Sequence, residues 1–274
     1  MQYNFKEILD LAEKGGFAIP AFNVYNLETL MGVTQAAEET KAPIIIQMYS
    51  RLFDTDTGKF MSPVIRDVMN RLKTPVAFHL DHGVGYAECV RAVRCGTTGV
   101  MIDASTLSLD ENIKATRKVV EMAREANVAV EGELGHIGST RDEKWDAYTE
   151  AADAKKYVEE TGVNALAIMV GTAHGKYVKA PKLAIDRIAE IHSETKAHLV
   201  LHGGSGVPDD QVAAAVKAGI RKINFGTDVC YAFVERFKEL DPYSAPLDVI
   251  MSKTAENVKA FAIEKIKLLG ADGR

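Results

Sequence analysis

The stretch AFHLDHG (77–83), reached through Thr74-Pro75-Val76, decides how this chain folds. It begins as a short apolar run of the kind that a sheet buries, then turns polar and ends on a glycine. A strand that is apolar along its length and polar at its C-terminal tip belongs to a parallel sheet covered on both faces, with its strand ends gathered around a ligand.

Seven further runs repeat the pattern. They are FAIPAFNV (17–24), PIIIQM (43–48), GVMID (99–103), VAVEGEL (128–134), ALAIMVG (165–171), HLVLHG (198–203) and KINFG (222–226), making eight with VAFHL (76–80). Segments of helical period separate them, among them LETLMGVTQAAEET, LDENIKATRKVVEMAREA, DAKKYVEETG and PKLAIDRIAEIHSET. Asp110 and Pro181 read as helix starts and Gly219 as a helix stop. Strict β/α alternation fits either an open doubly wound sheet or a closed barrel. The polar tips Asn23, Ser50, Asp81, His82, Asp103, Glu133, His174, His202 and Asn224 favour the barrel, because closure brings all eight C-terminal ends to one mouth. The expectation is an α/β (β/α)8 TIM barrel, one domain over 1–274, with an extra C-terminal helix at about 246–270.

Composition narrows the partners. Of 274 residues, 47% are hydrophobic and 26% charged, which is ordinary for a globular chain and excludes a disordered or coiled-coil one. A net charge of -5 supplies no basic surface for nucleic acid or an anionic membrane, and leaves small metabolites as the expected ligands. Cys89, Cys95 and Cys230 are odd in number and lack C-x-x-C spacing, so neither a disulfide framework nor a thiolate zinc site is expected, and a reducing cytoplasm fits. MQYNFKEILDLAEKGG reads as a capped amphipathic helix rather than a signal peptide, and no run reaches the roughly 18 apolar residues of a membrane span.

Of the seven histidines, only His82, His174 and His202 both end a predicted strand and precede a glycine. Three neutral imidazoles without a fourth protein ligand suit an open zinc site that can polarise a substrate oxygen. His79, His136, His192 and His198 read as ordinary core or surface residues. Asp81 would share the mouth with His82, as ligand, orienting group or general acid/base; Asp103 and Glu133 are two more acids at strand ends, where burial demands a cation or a donor. GTAHGKY (171–177), HGGSGVP (202–208) and NFGTD (224–228) are glycine turns, and the last two follow the seventh and eighth strands, where barrels build phosphate cradles from backbone N–H groups. Ser205 and Thr227 add hydroxyls there, and Lys176 adds charge.

With these motifs in order along nearly the whole chain, FAIPAFNVYNLETL, HLDHG, GVMIDAS, VEGELG, GTAHGKY, HGGSGVPD and KINFGTD, the sequence resembles the class II, metal-dependent ketose-bisphosphate aldolases. The resemblance implies a lyase that cleaves a ketose phosphate, such as fructose- or tagatose-bisphosphate or a related anionic ketose, to dihydroxyacetone phosphate and an aldehyde. It implies Zn2+ on His82, His174 and His202, with Asp103 and Glu133 near the metal, and Asp81 as proton donor and acceptor at the C4 hydroxyl. It also implies Gly175, Gly203, Gly204, Ser205, Asn224, Phe225, Gly226 and Thr227 around dihydroxyacetone phosphate, a monovalent cation beside the phosphate, and a homo-oligomer.

Two departures bear on the substrate. The loop after Glu133 reads GHIGSTRDEKWDAYTE and lacks the Gly-Gly-x-Glu-Asp stretch that carries the family's proton-exchanging glutamate; Asp142 or Glu143 stands in its place. Asp241-Pro242-Tyr243 replaces an Asp-Pro-Arg segment, which leaves Arg51 and Arg141 as the arginines for a second anionic group. No lysine ends a predicted strand, which disfavours Schiff-base chemistry. A noncatalytic aldolase-like partner subunit and a metal-dependent phosphosugar epimerase are the competing readings.

Overall fold

The computed structural model describes residues 2–140, 147–177, 179–241 and 243–274. Eight parallel strands close into a barrel in sequence order: β1 (Ile19–Asn23), β2 (Ile44–Tyr49), β3 (Val76–Gly83), β4 (Gly99–Ile102), β5 (Ala129–Leu134), β6 (Ala165–Ile168), β7 (His198–Leu201) and β8 (Ile220–Phe225). The expected barrel is therefore present. A helix follows each strand, α2 (Leu27–Thr40) after β1 through α9 (Thr227–Glu239) after β8, and α10 (Leu247–Leu268) is the additional C-terminal helix, packed on α2 and α9.

Helix α1 (Phe5–Gly15) precedes the barrel and closes its N-terminal end. Asn4 and Glu7 cap it reciprocally, and Phe5, Ile8, Leu9 and Ala12 put its apolar stripe against the strands. Phe5 lies against the imidazole of His79, ring centroids 4.3 Å apart. On the polar side Glu13 binds Arg221 at 2.8 Å and Asp10 binds His198 at 2.9 Å, so two of the histidines read as ordinary, His198 and His192, belong to this floor.

Boundaries differ from the sequence expectation where local chemistry overrides periodicity. α5 (Leu109–Glu125) is capped by Ser108, whose reciprocal contact with Glu111 places the start ahead of Asp110. α7 (Ile185–Glu194) begins four residues after Pro181, and β6 stops at Ile168, before Met169-Val170-Gly171. Beyond β6 the chain pairs with the loop after β5 through a bridge between Ser139 and His174.

The interior of the barrel is filled by alternate residues, as strand geometry requires. His79 and Asp81 on β3, Glu131 and Glu133 on β5, and Lys222 and Asn224 on β8 each form an i, i+2 pair that engages partners across the barrel. These strands look continuously apolar because their outward positions, Phe78, Leu80, Val130, Ile223 and Phe225, are buried as well.

At the top of β3 the alternation is broken. Leu80 pairs with Val100 and Gly83 with Ile102, so three steps along β3 match two along β4, and the extra residue is a bulge. His82 there has φ 54°, a left-handed conformation that costs a side-chain-bearing residue on the order of 1 kcal/mol or more. The bulge turns the adjacent side chains of Asp81 and His82 toward one mouth, which a regular strand cannot do.

Candidate functional site

A cavity of about 510 Å³ opens at the C-terminal ends of the strands, lined among others by Asn23, Asp81, His82, His174, Gly203 and Asn224. The three glycine-flanked histidines meet there. His82 lies 4.7 Å from both His174 and His202 between ring centroids, and His174 and His202 are 5.7 Å apart.

Each ring is oriented by a bond from its other nitrogen. His82 Nδ1 is 2.9 Å from Asp81 Oδ1, His174 Nδ1 is 2.9 Å from the carbonyl of Ile137, and His202 Nε2 is 2.7 Å from Glu131 Oε1. That leaves His82 Nε2, His174 Nε2 and His202 Nδ1 facing inward. Glu133 Oε2 lies 3.9 Å from both His82 Nε2 and His202 Nδ1. Two of these inward atoms, His174 Nε2 and Glu133 Oε2, are buried and have no hydrogen-bond partner. Buried polar atoms normally have one, so this pair, with two imidazole nitrogens beside it, matches the donor set of a divalent cation. His82, Asp103 and Glu133 form a second group with ligand atoms within 4.8 Å of one another.

Burial and mutual charge set the groups of this cluster apart. Burial, and next the Asp103 carboxylate, push the Glu133 acid up to about 8. Burial, followed by the charge on His82, pushes His174 down to about 3, which favours the neutral imidazole that a metal needs. Burial would lower His82, but Asp81 outweighs it and raises the imidazole to about 9. Burial would likewise raise Asp81, and His82 overrides it, holding the carboxylate ionised. Asp81 Oδ2 also accepts 2.7 Å from Asn23 Nδ2, and Oδ1 accepts 3.3 Å from Asn224 Nδ2. Gln47 Nε2, 2.8 Å from Asn23 Oδ1, fixes that amide.

On the β7 and β8 side of the cavity stand Gly203, Ser205, Gly226 and Thr227. Gly203 has φ 63°, and a Cβ there would strike the carbonyl of Ala173, so the turn tolerates only glycine. Tyr177 Oη fastens this turn to the one bearing His174, meeting the amide and carbonyl of Ala173 at 2.8 Å each and the carbonyl of Gly203 at 2.9 Å. Ser205 Oγ accepts from the Asp228 amide at 3.2 Å, beside the N-terminus of α9. Free N–H groups at a helix start and in such turns suit a phosphate.

Some expected residues lie elsewhere. The Phe225 side chain is buried between Phe22 and Phe261, centroids 5.9 and 6.1 Å away, and Gly204 packs on Ile223 rather than lining the cavity. Lys176 rests over the Tyr231 ring at 5.7 Å. Arg51 does line the cavity. Arg141, Asp142 and Glu143 lie outside the described residues.

Other participants went unread in the sequence. His136 lines the cavity, with Nδ1 3.1 Å from Ser105 Oγ, and Ser105 in turn binds Asp103 at 2.7 Å and Glu133 at 3.0 Å. Beneath the histidines, Glu131 and Lys222 are fully buried. The signal that exposes them is the two-residue spacing to Glu133 and Asn224.

Comparison with known proteins follows the same lines. The model of the family Fructose-bisphosphate aldolase class-II matches residues 3–274. The chain is 36% identical over 277 residues to the sulfofructosephosphate aldolase of Alkalicoccus urumqiensis, covering 98% of this chain and 96% of that one. It superposes on the YdjI aldolase of Escherichia coli K12 with a TM-score of 0.91 at 34% identity, over 100% of this chain and 99% of that one. The fructose-bisphosphate aldolase of Campylobacter jejuni shares the fold, with a TM-score of 0.82 at 21% identity, over 99% and 96% of the two chains.

Proposed function

This chain belongs to the class II fructose-bisphosphate aldolase family and is an aldehyde-lyase, and from that premise we propose that it reversibly cleaves a ketose 1-phosphate to dihydroxyacetone phosphate and an aldehyde. The observation that carries the reading is the convergence of His82 Nε2, His174 Nε2 and His202 Nδ1, with Glu133 Oε2, beside the oriented carboxylate of Asp81. Fructose or tagatose 1,6-bisphosphate, or a ketose phosphate with another anionic end such as the relative's name describes, fits the cavity chemistry.

Zinc held by the three histidines would supply Lewis-acid stabilisation of the negative charge that cleavage places on the substrate carbonyl oxygen. The protein's own groups do the rest. Asp81 takes the proton of the C4 hydroxyl as the C3–C4 bond breaks and returns it during condensation. Asn23 and Asn224 hold that carboxylate in line, so no side-chain rotation precedes proton transfer. The N–H groups of Gly203, Ser205, Gly226 and Thr227, with the start of α9, bind the C1 phosphate, where a monovalent cation would share the charge. Asp103 and Glu133, which with His82 offer a second group of ligand atoms, would supply oxygen ligands to a divalent cation bound there.

The test is release of dihydroxyacetone phosphate from a panel of ketose mono- and bisphosphates by zinc-loaded protein. Activity is expected to vanish with a chelator and return with zinc. Formation of an isomer without cleavage would instead identify an epimerase, and silence across the panel, with a second aldolase chain copurifying, a partner subunit.

A further inference from the structure

We infer that Arg51 is the specificity determinant for a terminal oxyanion at the substrate end remote from the phosphate cradle. The inference rests on the aldolase reading of the site and deepens it: the aldehyde half of the substrate carries a negative group.

Four observations converge. Arg51 is the only lysine or arginine among the described residues that line the cavity. Among the described residues no carboxylate lies within ion-pair distance of it, whereas Arg91, Arg187 and Arg221 each have such a partner at 2.7 or 2.8 Å. Its guanidinium is parked over the ring of Tyr49, 5.0 Å from the centroid, and the Tyr49 ring is itself 5.6 Å from that of His82. Tyr49 ends β2 in register with Asp81 on β3.

These contacts give the cavity a direction. In the closed order of strands β2 adjoins β3, with Tyr49 in register with Asp81, and β1 stands between β2 and β8, so Arg51 at the tip of β2 lies beside the acid/base position and away from the β7–β8 turns. A substrate laid from the cradle past the histidines to Asp81 presents C1, then C2 and C3, then the C4 hydroxyl. The chain beyond C4 continues toward Arg51. A stacked guanidinium keeps its edge N–H donors free, and that planar fork matches carboxylate, sulfonate or phosphate oxygens. The nearby negative charges of Asp81 and Asp103 would repel such a group without a cation at that place.

Arg51→Ala and Arg51→Lys are compared with the parent protein in two readouts. Binding is measured by calorimetry in an Asp81→Asn background, with fructose 1-phosphate and with fructose carrying a 1-phosphate and a 6-phosphate, 6-sulfonate or 6-carboxylate. Cleavage of the same ketoses is measured in the Asp81 background. The alanine variant is expected to lose about 10- to 100-fold in affinity for the anion-terminated ketoses while fructose 1-phosphate is unchanged, with partial recovery in the lysine variant. The ranking among the three termini distinguishes a singly from a doubly charged group. Equal loss on neutral and anionic termini, no loss, or no binding of any anion-terminated ketose overturns the inference. Arg51-dependent binding without cleavage by the parent protein would sustain Arg51 as the anion site and overturn the aldolase reading alone.

Discussion

Lys222 Nζ stands 2.9 Å from Glu131 Oε2 inside the barrel, with neither side chain exposed. The other oxygen of Glu131 holds His202 at 2.7 Å, and His79 lies 3.5 Å from the carboxylate. Burial would raise the Glu131 acid, but Lys222 and then His202 outweigh it and keep the carboxylate ionised. The pair therefore fixes which nitrogen of His202 faces the cavity. Removing one partner leaves a buried charge, so Lys222→Met is expected to cost about 3–5 kcal/mol in urea denaturation, and the double variant with Glu131→Gln less than the sum of the single changes. Glu131→Gln alone is expected to weaken zinc roughly 10- to 100-fold in chelator competition.

Asp81→Asn keeps an oxygen for His82 Nδ1 but cannot accept the hydroxyl proton. The turnover rate for cleavage is expected to fall on the order of 10²- to 10⁴-fold. Zinc content measured by metal analysis stays at the parental value, and loss of zinc in parallel with activity would contradict the assignment of the proton step to this residue.

Tyr177→Phe unties the two turns that carry His174 and Gly203. Loss of the hydroxyl leaves a buried amide and carbonyl unpaired, at about 1–3 kcal/mol. The expected result is a higher KM for the phosphosugar with a smaller change in kcat, and a lowered melting temperature. An unchanged KM would show that the cradle holds without the tie.

The floor of the barrel responds to acid. Burial would raise the Glu13 acid, but its hydrogen bond and attraction to Arg221 lower it below the usual carboxylate range. A carboxylate with a depressed folded pKa contributes stability that is fully present above its unfolded value, about 4, and is lost as pH falls through the folded one. Glu13→Gln should therefore lower the denaturation midpoint at pH 7, and the gap from the parent protein should close as the solution is acidified below pH 4. A gap that persists at low pH would mean the loss is one of packing.

Much of this was legible because the strands are apolar in runs and the three clustered histidines each precede a glycine, although His174 lies in the loop beyond β6 rather than at the strand tip. His82, His174 and His202 required only order along the chain. Glu131 and Lys222 were hidden for a physical reason: outward neighbours such as Val130 and Ile223 dominate the local pattern, and an inward charge satisfied by a distant strand leaves no local mark. His136 escaped because its position depends on a loop that folds back onto Ser105. The α5 start was missed by two residues because Ser108 competes with Asp110 as a cap, and a capping box is decided by Glu111.

The irregularity at the end of β3 carries a mechanical meaning. Asp81 and His82 are joined by one peptide unit, so thermal breathing that alters the spacing between strands leaves the proton acceptor and its neighbouring imidazole in step. Tolerance of barrel motion is thus written into covalent connectivity at this point, and a single-residue deletion that made the strand regular here would remove one member of the pair itself.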